Sequence, residues 1–137
     1  MQHLRHMDIF SRIKRTLSTP FILMMVIPLV ILDIFLEIYH HISFRLYGLE
    51  VVKRRDYIKF GRHELPYLTI AKKFFCIYCA YANGLIHYAS VIAGKTEEYW
   101  CGIRHNIKEG ESFIEHDHHK CFLAYGDKGG FDNLKLK

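Results

Sequence analysis

Phe21 to Leu32 is a run of twelve residues without a charge, and apolar character continues to Tyr39 with only Asp33 and Glu37 interrupting it. No other feature limits the fold as strongly, because a stretch this apolar has to leave water, either into a protein core or into lipid. The uncharged run falls short of the roughly 20 residues that cross a bilayer, and the full stretch from 21 to 39 just reaches that length if both acids are tolerated. Thr19-Pro20 opens the segment, with proline suited to a first helical turn, and Pro28 is placed to kink it. Upstream, Leu4, Met7, Ile9, Phe10, Ile13 and Leu17 alternate with Arg and Lys at helical spacing. The spacing predicts an amphipathic helix over 4–17, fit for a membrane interface or for an ordinary protein surface.

Charge supports a lipid partner. Lys plus Arg number 19 and Asp plus Glu 14, for a net charge of +5. The cations cluster as Arg12, Lys14, Arg15 and as Lys53, Arg54, Arg55, on either side of the apolar stretch, where anionic headgroups would meet them. No basic stripe with stacking aromatics and no nucleic-acid module is present, so nucleic acid is not an expected partner. The positive-inside rule gives only a slight asymmetry, and no small-residue cleavage site follows the apolar run.

Residues 45–70 read as a polar connector, with turn signals at Tyr47-Gly48 and Phe60-Gly61 and short strands at most at Val51-Val52 and Tyr57-Ile58. A second uncharged stretch, Phe74 to Gly94, is predicted as a helix with a candidate break at Asn83-Gly84 and an end at Gly94. Thr96 would cap the next helix, with Glu97 and Glu98 in its favourable first turn. Ser112 and Glu115 have capping-box spacing and predict a further helix to about Tyr125, ended by Gly126, with a frayed tail after Gly130. The expected architecture is all-α, about four helices. It divides into a membrane-associated arm (1–44), the connector (45–70) and a Cys/His-bearing helical hairpin (71–137).

Ten histidines and four cysteines make the chain rich in metal-ligand side chains. Three candidate clusters follow. Asp33, Glu37 and His40 share one helix face, and Glu37-x-x-His40 has the spacing with which helical bundles present metal ligands inward. The bland reading of the same acids is an ion pair with Arg45 or Arg54. Cys76-x-x-Cys79 with Cys101 and His105 could form a tetrahedral site. That requires an early helix break, since an unbroken helix from 80 to 94 carries the chain about 22 Å away. In a simple hairpin turning near 95, the cysteine pair would instead face His116, His118 and His119, and His87 would face the region of His105. The run from His116 to Cys121, with Asp117 and Glu115 beside the imidazoles, is the third cluster. Thiolate-rich ligation favours zinc or iron. Buried reduced cysteines acting as small hydrophobes are the plain alternative.

The strings CIYCAYANGLIHYASVIAGKTEEYWCGIRH and PLVILDIFLEIYHHISFRLYG, with Tyr125-Gly126-Asp127 near the end, resemble a family of small bacterial membrane-associated proteins. Its pattern is C-x-Y-C-x-Y-x-N-G, then R-T-E-x-Y-W-C-P-I-K-H, then Y-G-D. The similarity covers most of residues 27–127 and departs at Gly102, where the pattern has proline, and at Lys95, where it has arginine. The resemblance implies a bacterial origin and a recurring scaffold, and it transfers no catalytic residue.

The expected function is a small membrane-associated metal-binding protein holding zinc or iron, in the bacterial inner membrane with the Cys/His region facing the cytoplasm. Cys76 and Cys79 are the expected core ligands, with Cys101 and His105, or His116 and His119, as partners. Two other classes remain open: a membrane thiol–disulfide oxidoreductase using Cys76-x-x-Cys79, with Cys101 or Cys121 resolving, and an accessory subunit of a membrane complex contacting a protein partner.

Overall fold

A computed structural model describes residues 9–135, so residues 4–8 of the predicted first helix lie outside the described residues. The chain is mostly helical, with no strand among the described residues. Three long helices, α1 (Ile9–Met24), α2 (Val26–Tyr47) and α3 (Ile70–Trp100), are followed by a short α4 (Lys128–Lys135).

Only Met25 separates α1 from α2. α1 stops at Met24, the residue whose carbonyl Pro28 cannot serve because proline has no N–H. The ladder passes through Met25 instead, with its N–H on Ile22 O (3.2 Å) and its own carbonyl accepting from Leu29 N (3.2 Å). No residue of α1 is buried. α2 ends where the sequence signals it. Gly48 takes a left-handed φ of 70°, and Leu49 N closes back on Phe44 O at 2.8 Å.

Contacts between α2 and α3 climb in step. Asp33 meets Tyr81, His40 meets Tyr88, and Tyr47 meets Trp100, so the two helices run in the same direction. The chain between them has to travel back, and residues 49–69 do so against both helices. Two 3-10 turns, Arg54–Asp56 and Arg62–Glu64, replace the short strands that Val51-Val52 and Tyr57-Ile58 were expected to allow. Val52 joins Leu29, Phe44, Ala82, Leu85, Tyr88 and Ile92 in the core.

α3 runs 31 residues without the break at Gly84 or the stop at Gly94 that the sequence predicts. Both glycines serve close packing. A Cβ on Gly84 would lie 2.7 Å from Tyr57 O, and one on Gly94 would lie 2.8 Å from the His118 ring. Thr96 caps nothing. It sits inside α3 with Oγ1 donating to Ile92 O at 2.9 Å. The helix ends at Gly102, whose φ is 57° and whose N–H reaches Glu97 O at 2.9 Å.

The helix predicted from Ser112 to Tyr125 does not form. Residues 102–116 are irregular, and Asp117–Cys121 is a single 3-10 turn. Ile114 is 88% exposed, so that stretch has no apolar face to bury as a helix. The return segment is held through Arg104 N to Leu123 O (2.8 Å) and Leu123 N to Gly102 O (2.9 Å), with Phe122 buried. The tail expected to fray instead forms α4, where Asp127 Oδ1 accepts from Gly130 N at 2.9 Å.

Two helical runs are long and apolar enough to cross a membrane: Ile9–Tyr47 and Ile70–Trp100. Their environments differ. The most apolar window of the first has a mean hydropathy of 2.6 and is 6% buried, whereas that of the second has 1.3 and is 28% buried.

Candidate metal centre

The acid–histidine face of α2 comes together as its spacing predicts, and its contacts are with protein groups. Asp33 takes a two-pronged salt bridge from Arg54, which also reaches Glu37 Oε1 at 3.3 Å. Tyr81 OH donates to Asp33 Oδ2 at 2.8 Å. The hydrogen bond to Asp33 makes the Arg54 guanidinium harder to deprotonate than an ordinary arginine, despite its partial burial. Of the two ion-pair partners that the sequence offers, Arg54 is the one used.

His40 is fully buried. Val52 N–H donates to its Nε2 at 3.0 Å, so that nitrogen carries the lone pair. Nδ1 is then the protonated nitrogen and donates to the Tyr88 hydroxyl oxygen at 3.0 Å. Glu37, His40 and His41 lie close enough to share an ion. For His40 to ligate, however, it would have to give up a buried hydrogen bond. This face behaves as a polar clasp between α2, the connector and α3.

The second cluster lies at the far end of α3. Glu97 projects one turn beyond Gly94, and the space left by that glycine admits the His118 ring from the return segment. His118 Nε2 is 3.0 Å and His119 Nε2 is 3.3 Å from the same oxygen, Glu97 Oε2. Donor atoms of the three residues lie within 4.8 Å of one another. A tetrahedral ion with bonds of about 2.0–2.1 Å holds its donors about 3.3 Å apart, close to the spacing seen.

Two more imidazoles border the three. His116 stacks on His118 with ring centroids 5.3 Å apart, and His105 meets the His119 ring at 5.3 Å. Phe122 packs against both His118 and His119. Partial burial raises the Glu97 carboxyl, and hydrogen bonds from the two imidazoles outweigh it, holding the group below the usual carboxylate range. His119 is 1% exposed, and its Nδ1 is buried without a hydrogen-bond partner. A buried polar nitrogen left unpaired costs stability, and here it is the ring nitrogen other than the one that faces Glu97.

The cysteines lie elsewhere. Cys76 and Cys79 sit on the first third of α3, and Cys101 follows its last residue. An unbroken helix separates Cys79 from Cys101 by about 33 Å, and from Gly94, where the histidine segment docks, by about 22 Å. Neither expected partner set reaches the cysteine pair. His87, expected opposite His105, packs edge-on against Tyr57 instead. All four thiols are free, with Cys79, Cys101 and Cys121 exposed.

Of the predicted ligands, His119 is in the cluster and His105 and His116 border it. The residue that sequence reasoning missed is Glu97, taken only as an acid favourable to a helix start. The available signal was Gly94, which shares a helix face with Glu97 at i, i+3 and leaves a gap beside it.

No protein-family model, curated protein or solved structure matches this chain.

Proposed function

We propose that this protein is a membrane-anchored metal-binding protein whose ion is held by Glu97, His118 and His119. The observation that carries the reading is the convergence of two imidazole nitrogens on one carboxylate oxygen, at 3.0 and 3.3 Å, around a histidine that is 1% exposed. Two histidines and a carboxylate suit zinc or iron(II) and leave further coordination positions open. Such a site is of the reactive type, in contrast to a closed four-ligand structural centre. His116 and His105 are the adjacent groups able to complete or tune it.

The membrane anchor in this reading is a single crossing. Seventeen residues between Arg15 and Asp33 carry no charge, which meets the lower limit for a spanning helix. Within that stretch Phe21, Met24, Ile27 and Ile31 are all exposed. A second crossing by α3 is disfavoured because α2 and α3 are parallel. The returning connector would have to cross too, and it carries Lys53, Arg54, Arg55, Lys59 and Arg62 on largely irregular backbone. Lipid leaves such backbone without hydrogen-bond partners. Arg45, Lys53, Arg54, Arg55 and Lys59 follow the anchor and slightly outnumber the cations before it, which favours a cytoplasmic metal domain. The resemblance to bacterial sequences favours the inner membrane.

The test is metal content per chain, by elemental analysis of protein purified in mild detergent without an affinity histidine tag. About one zinc or iron per chain is expected, absent from His118→Ala/His119→Ala and retained in Cys76→Ser/Cys79→Ser. Loss in the cysteine variant with retention in the histidine variant would return the site to the cysteines. Absence of metal from the unmodified protein would overturn the reading.

A further inference from the structure

A cleft separate from the metal cluster opens between the connector and the middle of α3. It has a volume of about 330 Å³, and Lys59, Arg62, Asn83 and His87 are among its lining groups. Its charged side chains are all basic, and no acidic residue lines it. Three cations outside the cleft are matched by carboxylates: Arg54 by Asp33 and Glu37, Arg104 by Glu115, and Lys120 by Asp117. Lys59 and Arg62 have no carboxylate within salt-bridge distance among the described residues. Two unmatched cations from the connector and an imidazole from α3 line one concavity, which gives it the character of an anion site.

The fold builds this cleft. Gly84 lets the connector approach α3 so closely that a Cβ there would lie 2.7 Å from Tyr57 O and 2.9 Å from Ile58 Cα. That contact fixes where the chain leaves for Lys59 and Arg62. Tyr57 also packs on His87 with ring centroids 5.0 Å apart, orienting the imidazole at the cleft wall.

We infer that this cleft binds a phosphate group, with Arg62 and Lys59 as the charged contacts and the His87 ring as a further N–H donor. Guanidinium offers a planar fork that matches phosphate oxygens, and ammonium adds a point charge. The height of the cleft on the molecule indicates where the phosphate comes from. Cys79 to His87 on α3 lie alongside the stretch of α2 where the uncharged run gives way to Asp33 and Glu37, since Tyr81 bonds Asp33 and Tyr88 bonds His40. Phospholipid headgroups lie at the end of an apolar anchor, so the same site can take a headgroup phosphate or a free one.

Two titrations of the full chain distinguish these sources. In the first, the protein is placed in nanodiscs containing phosphatidylglycerol, re-extracted in mild detergent, and the retained phospholipid is counted by phosphorus NMR. In the second, the protein in phosphatidylcholine nanodiscs is titrated calorimetrically with inorganic phosphate. Lys59→Gln/Arg62→Gln is compared with Lys108→Gln/Lys128→Gln, which removes the same charge away from both the cleft and the end of the apolar stretch. The expected result is that the cleft variant loses about tenfold or more of whichever ligand binds, and the control variant does not. Retention of phosphatidylglycerol without phosphate binding assigns the site to headgroups, and phosphate binding in neutral nanodiscs assigns it to free phosphate. No binding in either titration, or equal losses in the two variants, would overturn the inference. None of these outcomes depends on metal content.

Discussion

His40 and His119 are both fully buried, at 0% and 1% exposure, yet the two regions use them in opposite ways. At His40 each nitrogen has a partner, Val52 N–H on one side and Tyr88 OH on the other. At His119 one nitrogen meets a carboxylate shared with a second imidazole, and the other has no hydrogen-bond partner. A satisfied buried imidazole locks three elements together and has no lone pair to offer. An imidazole whose Nε2 faces a carboxylate shared with a second imidazole can exchange its ring proton there for an ion. Burial alone does not separate a structural histidine from a functional one. The count of occupied nitrogens does.

Several measurements would break or sharpen this comparison. The largest effect expected is at the satisfied site. His40→Ala removes a buried ring and strands the Val52 N–H and the Tyr88 hydroxyl, costing about 3–4 kcal/mol in denaturant unfolding. Metal binding measured on the folded fraction should be unchanged, and a loss there would mean that the two regions are coupled.

Next comes the ligand response. At a hundredfold excess of metal over its dissociation constant, the unmodified protein should gain about 2.7 kcal/mol of stability. His119→Ala should gain none, as read by thermal shift with and without zinc. An equal gain in both proteins would put the ion elsewhere.

The two close-packing glycines provide a third contrast. Gly84→Ala and Gly94→Ala each force a methyl into occupied space, at a cost of about 1–3 kcal/mol. Only Gly94→Ala displaces the His118 ring, so only that variant should weaken metal binding, as read by competition with a chromophoric chelator.

A smaller stability change is expected from Arg54→Met, which leaves Asp33 and Glu37 without their cation. A fully buried pair would cost about 3–5 kcal/mol to break. Arg54 is 37% exposed, so about 1–2 kcal/mol is expected here, measured as a shift in urea midpoint.

The smallest effect concerns pH in the metal-free protein. The Glu97 carboxyl is held below its usual range when folded. Its contribution is therefore present above the ordinary carboxylate value and is lost as pH falls through the folded one. Glu97→Gln should be less stable than the unmodified protein near neutrality, by about 1 kcal/mol or less, and the difference should close in acid. A gap that widens on acidification would show that Glu97 is not stabilised as a carboxylate.

Much of the local organisation was legible from residue order. The apolar helical stretch, the end of α2 at Gly48 and the polar connector follow from near neighbours, and charge inside the apolar stretch narrowed the partner of the α2 acids to Arg45 or Arg54. The ends of α3 were not legible. Gly84 and Gly94 look like helix breakers in one dimension, because glycine's low helix propensity is a local property. In the folded chain each fills a contact that any larger residue would block, and tertiary packing overrides the local preference. The same error split the helix in which Glu97 lies, so the carboxylate was read at a helix start when it belongs near a helix end. Ser112 and Glu115 carried a helix-start pattern without an apolar face behind it, and a cap without burial does not make a helix.

The sequence by itself determined that the chain is helical, that residues up to Asp33 seek lipid or protein cover, and that imidazoles are abundant along the chain while all four thiols lie in its second half. Those properties belong to single residues and to their spacing along one element. Only the tertiary structure decided which imidazoles meet a carboxylate, that the cysteine pair stands apart from them, and that α2 and α3 run parallel with a basic connector between. Those outcomes depend on where a 31-residue rigid helix delivers the chain and on which glycines let other segments approach it. Such contacts join residues far apart in sequence, and no local periodicity encodes them.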